Sequence, residues 1–326
     1  MIEKRRLGRD GPELTTVGFG AWAVGGPWLF GWGPQDDEES IAAIRRALDL
    51  GVSWIDTAPI YGNGHSEDVV GKAIRGRSRD AFIIATKCGR FDRGTAPPRG
   101  DLRPESIRKE LDGSLGRLGV DHVDLLQIHW PDTDTGTPLE ESWSAMAALQ
   151  AEGKTRWIGV SNFDVPLLER CEAVRHVDSL QPPYSLLVRD VEAGILPWCL
   201  KHGVGVVAYS PMQAGLLSGK FDIARLAPDD WRRRRALFQE PRLTRNLAFV
   251  DALRPIAAGH GKTVGQLAVA WVLGHPAVTA AIVGARRPAQ VEENVEAMGF
   301  RLSQREKSEI EKAYRETVLA GENPPA

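Results

Sequence analysis

The sequence predicts a closed (β/α)8 barrel, and three observations carry that reading. Short apolar runs alternate with longer helical patterns about eight times along the 326 residues. Several of these runs are apolar on both faces, as strands buried in a parallel sheet must be. No linker rich in Gly, Ser or Pro divides the chain, so residues 1–326 read as one domain. A doubly wound sheet with a second domain is the rival arrangement.

The elements follow in order. RDGPEL, ahead of the first strand, sets turn residues between short extended runs and predicts a β-hairpin capping the barrel's bottom. The predicted strands are 17–22, 53–57, 81–87, 123–129, 156–161, 178–181, 204–210 and 279–283. Between them, 37–50 places Ile41, Ile44, Ala47 and Leu48 on one helical face behind acidic residues suited to an N-terminus. In 104–118, Pro104 suits the first turn, and Ile107, Leu111, Leu115 and Leu118 form a stripe. The segment 139–152 carries Trp143, Met146 and Ala147 on one face and ends before Gly153. Helices over 166–176, 191–202 and 263–274 complete the set, and the polar stretch 221–245 is expected to be a long loop on the barrel top.

Composition removes several classes of function. Forty-one basic and 43 acidic side chains leave a net charge of −2, which argues against a dedicated nucleic-acid or membrane-surface binder. Three cysteines without CxxC spacing point away from a disulfide framework or a zinc cluster. MIEKRRLGRDGPELTTVG lacks the apolar stretch of a secretory signal, and no window approaches a membrane span, so the expected location is cytoplasmic.

A barrel collects its chemistry at the carboxyl ends of its strands. Here Asp56, Lys87 and His129 end strands two, three and four. Ser161 and Asn162 end the fifth, Gln181 the sixth, and Tyr209 and Ser210 the seventh. Any one could be a cap or a satisfied structural residue, but six consecutive strands ending in polar groups disfavour a purely structural account. Lys87 follows the apolar IIAT, so its ammonium should be partly desolvated and held charged by Asp56. Beside Tyr61 it should lower the phenol's pKa from about 10 toward neutrality. A neutral His129 could orient a carbonyl oxygen. Together these groups suit proton transfer at a carbonyl or alcohol oxygen, with hydride carried by a cofactor. Metal-dependent hydrolysis needs more strand-end histidines than His129 alone, so no metal is expected. A Schiff-base role for Lys87 is weaker with Asp56 beside it.

GVGVVA at 203–208 fits a loose dinucleotide pattern, but its glycines precede the apolar run, where a Rossmann fingerprint would follow it. A nucleotide is expected instead across the barrel top, with phosphates near 210–220 and 284–294, where Lys220 and Arg286 could pair with them and Tyr209 could stack on a planar ring. WRRRR at 231–235 reads as a solvated run, or as the source of an arginine that folds over the cofactor.

GFGAWAVGG, WIDTAPIYGNGHSEDVVGKAI, IIATKCG, VDLLQIHWPD, KTRWIGVSNF, LQPPYSLL, VVAYSPMQAGLLSGK and VGARRPAQVEENV together resemble the aldo-keto reductase superfamily over nearly the whole chain. The long loop ending in SGK resembles the branch that includes the voltage-gated potassium-channel β-subunits. The WLFGWGPQDD insertion resembles bacterial polyol- and sugar-active members. The resemblance implies Tyr61 as general acid/base, Lys87 and Asp56 as its tuning pair, and His129 as carbonyl orienter. It implies a nicotinamide dinucleotide bordered by Ala21 and Trp22, with Ser161, Asn162 and Gln181 at the carboxamide and Tyr209 against the ring. Ser210, Pro211, Met212, Gln213, Ala214 and Lys220 would line the pyrophosphate, although many members carry Leu and a small residue where Met212 and Gln213 stand. Gly284, Arg286, Gln290, Glu293 and Asn294 would surround the adenosine, and Arg232 is the expected covering arginine. Arg286 and Arg287 favour NADPH, while Glu292 and Glu293 keep NADH open.

Trp22, Trp28, Phe30, Trp32 and Trp130 are expected at the substrate mouth beside Tyr61 and His129, where aromatic faces suit sugars and aryl carbonyls alike. The expected activity is reversible reduction of an aldehyde, ketone or sugar carbonyl. The other class of function kept open is a coenzyme-binding sensor or partner subunit with slow turnover.

Overall fold

The computed structural model describes residues 2–91 and 98–320. The single-domain reading of 1–326 therefore includes Met1, 92–97 and 321–326, which lie outside the described residues.

Eight parallel strands close into a barrel: β1 (Val17–Gly20), β2 (Trp54–Asp56), β3 (Ile83–Cys88), β4 (Val123–Ile128), β5 (Thr155–Ser161), β6 (Ser179–Gln181), β7 (Gly205–Ala208) and β8 (Val278–Gly284). Each pairs with its sequence neighbour, and β8 closes on β1 through Ala281↔Val17 to Gly284↔Gly20. Around them lie α1 (Asp37–Asp49), α2 (His65–Ile74), α3 (Pro104–Leu118), α4 (Leu139–Ala151), α5 (Val165–Glu172), α6 (Ile195–His202), α7 (Arg242–Gly259), α8 (Val264–Leu273), α9 (Pro288–Val295) and α10 (Gln304–Thr317). Local chemistry sets the ends of several. Asp36 accepts from the backbone of Glu38 and Glu39 at the start of α1. Thr263 and Ser303 form capping boxes with Gln266 and Glu306.

The N-terminal hairpin pairs Lys4–Arg6 with Glu13–Thr15 and plugs the barrel's lower end. Its Leu7 and Leu14 pack among the inward-facing Trp54, Ala85, Leu125, Val207 and Ala280. Trp54 donates its indole N–H to the Thr15 carbonyl at 2.9 Å, and its ring leaves room only for glycine at position 18, where a Cβ would stand 2.0 Å away. The chemistry is left to the open upper end.

The connection from β7 to α7 is a chain of 3-10 turns: Gln213–Ser218, Ile223–Arg225, Trp231–Arg234 and Ala236–Phe238. The irregular loop expected over 221–245 is thus shorter than the sequence suggested, because α7 begins at Arg242. No helix among the described residues is long and apolar enough to cross a membrane.

Behind β3, Glu110 of α3 is buried and accepts the Gly89 N–H through Oε2 at 2.6 Å, while its Oε1 has no partner. Burial pushes this carboxyl up to about 8 from 4.5. A carboxyl with a raised folded-state pKa holds its proton in the folded chain and loses it in the unfolded one. Its contribution is therefore favourable at low pH and is lost as pH climbs from about 4.5 to about 8. Glu110→Gln keeps an acceptor for Gly89 and should flatten that loss, raising stability at pH 8 by up to roughly 4 kcal/mol. Denaturant midpoints of both proteins at pH 5 and pH 8 check it; equal pH slopes would remove Glu110 as the cause.

Candidate active site

The site is assembled where β2, β3 and β4 end. Asp56 is the last residue of β2, Lys87 lies near the end of β3, and His129 follows β4. Lys87 is fully buried. Its ammonium donates to Asp56 Oδ1 at 2.6 Å, to the Thr57 carbonyl at 3.0 Å and to the Tyr61 hydroxyl at 3.2 Å. Tyr61 arrives on the loop after β2, which turns sharply through Gly62, Asn63 and Gly64, with φ of 64°, 53° and 97°. A Cβ at Gly62 would stand 1.9 Å from the Gly25 carbonyl, so glycine there lets the Tyr61 loop rest on the 25–33 loop. The rings of Tyr61 and His129 meet edge to face, with centroids 5.8 Å apart.

Charge follows from this packing. Burial pulls the Lys87 ammonium down, but Asp56 and Tyr61 outweigh it, and its pKa stands above the ordinary lysine value. Burial, then the positive charges of Lys87 and Arg90, hold His129 well below the usual imidazole value, so the ring is neutral. The sequence reading of Tyr61 needs correction. Burial raises the phenol's pKa, and that effect together with Asp56 exceeds the lowering by Lys87. Tyr61 is thus a neutral phenol whose oxygen accepts a hydrogen bond from an ammonium, which leaves its own O–H free to be given away.

Gln181 donates to Asp56 Oδ2 at 2.9 Å, so the carboxylate is held from two sides. Asn162 (φ 63°) donates to the His129 carbonyl and to Ser161 Oγ, both at 3.0 Å, and accepts from the Tyr209 hydroxyl at 2.8 Å. Ser161 Oγ donates to the Gln181 carbonyl at 2.8 Å. Ala21 is buried, its carbonyl accepting from Ser66 Oγ at 2.7 Å.

From Tyr209 the rim continues through a cradle of unusual backbone. Ser210, Gln213 and Ala214 have φ of 56°, 46° and 51°, and Gly215 follows at 93°. Such strain in non-glycine residues gathers at ligand sites. The Gln213 side chain turns inward to Ser185 Oγ at 2.8 Å, and Met212 packs against the core, so this segment presents mainly backbone. Pro211 is buried at its start. Lys220 reaches across to Glu293 at 3.3 Å. Beyond β8, Gln290 accepts the Arg286 N–H at 2.8 Å, and Asn294 donates to the Gly284 carbonyl at 3.2 Å. Arg232 is paired with Asp230 at 2.6 Å, donates to the Ala214 carbonyl, and sets its guanidinium 4.3 Å from the Trp32 ring centroid. It therefore braces the cradle. The strained, backbone-lined arc running from β5 to β8 fits an extended dinucleotide.

Trp22 stands at the centre of the aromatic mouth, with Trp28, Trp32 and Trp231 at 6.3, 5.7 and 5.6 Å. Trp28 lies 5.9 Å from Tyr61. Trp130 is 43% exposed and sits under the Arg90 guanidinium at 5.9 Å. Sequence reasoning missed Trp231 and Arg90. Trp231 is a large apolar residue in a polar run, and Arg90 lies three positions beyond Lys87; both were visible but had no assigned neighbour. A cavity of about 630 Å³ lies to one side of the site, between residues 59–63, Arg90 and α3.

Residues 16–315 match the model of the Aldo/keto reductase family. The chain is 34% identical over 313 residues to the NADH-specific methylglyoxal reductase of Escherichia coli, covering 93% of this chain and 95% of that protein. It is similar to the glycerol dehydrogenase AKR11B4 of Gluconobacter oxydans, with a TM-score of 0.88 and 38% identity over 99% and 97% of the two chains. An aldo/keto reductase from Klebsiella pneumoniae, solved with NADP and acetate, superposes with a TM-score of 0.71 and 31% identity over 100% and 97%. The chain belongs to the aldo/keto reductase family, and with it to the oxidoreductases that act on carbonyl and alcohol groups.

Proposed function

We propose that this chain reversibly reduces an aldehyde, ketone or sugar carbonyl with NADPH, and that Asp56, Tyr61, Lys87 and His129 carry out the proton chemistry. The observation behind this reading is the buried Lys87 ammonium, held by Asp56 at 2.6 Å and donating to Tyr61 at 3.2 Å. The dinucleotide, when bound, supplies or receives the hydride. Tyr61 gives its proton to the carbonyl oxygen, and Lys87 stabilises the phenolate left behind. Asp56 keeps Lys87 charged and aimed. His129, neutral, orients the carbonyl oxygen without competing for the proton. In alcohol oxidation the same phenolate takes the proton back.

NADPH is favoured by the charges at the adenosine end. The two acids that would suit an unphosphorylated ribose are engaged elsewhere, Glu292 with Arg46 at 2.7 Å and Glu293 with Lys220 at 3.3 Å. Arg286 is half-buried and has no carboxylate partner among the described residues. The NADP-bound relative agrees with this choice, and the NADH-specific one is the contrary precedent. The test is coenzyme consumption with 4-nitrobenzaldehyde, using NADPH and NADH in parallel. Turnover preferring NADPH is expected. Arg286→Ala should raise the KM for NADPH by about 10- to 100-fold, the loss of one charge-assisted contact, and move that for NADH far less. Equal effects on both would reject Arg286 as the phosphate partner. Tight binding without turnover would replace the enzyme reading with that of a coenzyme sensor.

A further inference from the structure

We propose that Arg90 is a specificity residue that binds an anionic group of the carbonyl substrate, a carboxylate above all, against the face of Trp130. The proposal rests on the carbonyl-reductase reading and names the substrate class for that site.

Arg90 stands three residues past Lys87 and two past the end of β3, in a short strand, Arg90–Phe91, that pairs with Arg99–Gly100, and its charge acts directly on His129. Its guanidinium lies 5.9 Å from the Trp130 ring centroid, and Trp130 follows His129 in the chain. The side chain is half-buried. Among the described residues, none of its five N–H groups donates to a carboxylate or carbonyl. Among the described residues the charge of Asp134 acts on Arg90, but none of the nearby acids accepts a hydrogen bond from it. Asp134 accepts from the Gly100 N–H, Asp101 binds Arg103 at 2.6 Å, and Glu110 accepts from Gly89.

Two nearby arginines are neutralised by a carboxylate partner. Arg117, on α3, is paired with Glu67 at 2.7 Å, and Arg103 with Asp101. A partly desolvated guanidinium that has no hydrogen-bonded carboxylate among the described residues, beside a reacting centre, is a ready receptor for an anion, because its planar fork matches a carboxylate bidentately. Stacking on Trp130 holds the plane without using the N–H groups, so the fork stays available. A substrate carboxylate would there meet two positive groups in succession, Arg90 near the mouth and Lys87 deeper in, and the neutral His129 adds no repulsion of its own.

The experiment compares 3- and 4-carboxybenzaldehyde with their methyl esters. The ester is the better electrophile, so a preference for the acid runs against intrinsic reactivity. The wild type is expected to favour at least one acid over its ester by tenfold or more in kcat/KM, mostly through KM. Arg90→Gln should bring the acid-to-ester ratio to one or below, and Arg90→Lys should restore part of it. A parallel measurement needs no turnover: quenching of tryptophan fluorescence by benzoate and by benzamide on the NADP-loaded protein. Benzoate should bind at least tenfold more tightly, and Arg90→Gln should erase the difference. Equal binding of the two probes by the wild type, or a difference unchanged in Arg90→Gln, overturns the proposal. If no aldehyde is turned over, the reductase reading fails, and the benzoate result alone decides for or against the anion site.

Discussion

Tyr61→Phe is expected to lower kcat/KM for carbonyl reduction by about 10³-fold, within the 10²- to 10⁴-fold that a positioned general acid supplies. The substitution removes one oxygen. The ring stays wedged between Trp28 at 5.9 Å and His129 at 5.8 Å, so the mouth should keep its shape. NADPH affinity, read from tryptophan quenching, should therefore stay within about twofold, since no cradle residue depends on the Tyr61 hydroxyl. The pH profile gives a second check. Burial places the Tyr61 phenol above its ordinary pKa, with Lys87 pulling the other way. The acid form needed for reduction thus persists through neutral pH, and the rate should fall only at alkaline pH, beyond the ordinary phenol range. Alcohol oxidation needs the phenolate and should climb over that same alkaline range. The residual rate of Tyr61→Phe should show neither limb. Turnover retained in the variant, or an unchanged alkaline limb, would assign the proton to another group.

How much of this was legible in the sequence can be judged from particular residues. The strands were readable because burial on both faces leaves runs such as VDLLQI and GVVA, which end where polar side chains begin. That boundary is also what singled out Asp56, Lys87 and His129 as candidates, since a barrel's chemistry begins where its apolar lining stops, and the fold brings them together at the ends of β2, β3 and β4. Helix α2 was missed because its inner face is polar. Ser66 is buried against Thr57 and Ala21, and Glu67 is buried between Thr86 and Arg117, so the apolar period is broken where the helix packs most tightly. Helix α7 was missed for a related reason: Arg242, Arg245, Arg254 and Pro255 interrupt its pattern. The direction of the Tyr61 shift was beyond the sequence. It depends on how deeply one phenol is buried relative to one ammonium, and residue spacing contains no depth. Trp231 was visible as a large apolar residue in a polar run but could not be placed for want of a neighbour. Its partners Trp22 and Phe30 lie about two hundred positions earlier, and only the folded loop brings them to 5.6 and 6.2 Å.

Lys87→Met should be the most damaging change to the fold as well as to turnover. The methionine fills much of the lysine's volume but leaves Asp56 as a carboxylate only 3% exposed, with Gln181 as its remaining side-chain donor. Removing one partner of a buried ion pair costs about 3 to 5 kcal/mol, because the other charge is stranded. Denaturant unfolding should show that loss. Adding Asp56→Asn to the same chain should return most of it, since two neutral groups can pack where one charge could not. The two substitutions are then strongly non-additive, each alone being worse than the pair. Activity should behave differently. Both Lys87→Met and the double variant lose the ammonium that stabilises the Tyr61 phenolate, so neither should recover turnover. The alkaline limb of any residual reduction should move further up in pH, because the one influence lowering the phenol's pKa is gone while burial remains. Stability restored without activity would separate the two functions of the pair. Additive losses in stability, or a double variant as active as the wild type, would mean that Asp56 and Lys87 do not act on Tyr61 as a unit.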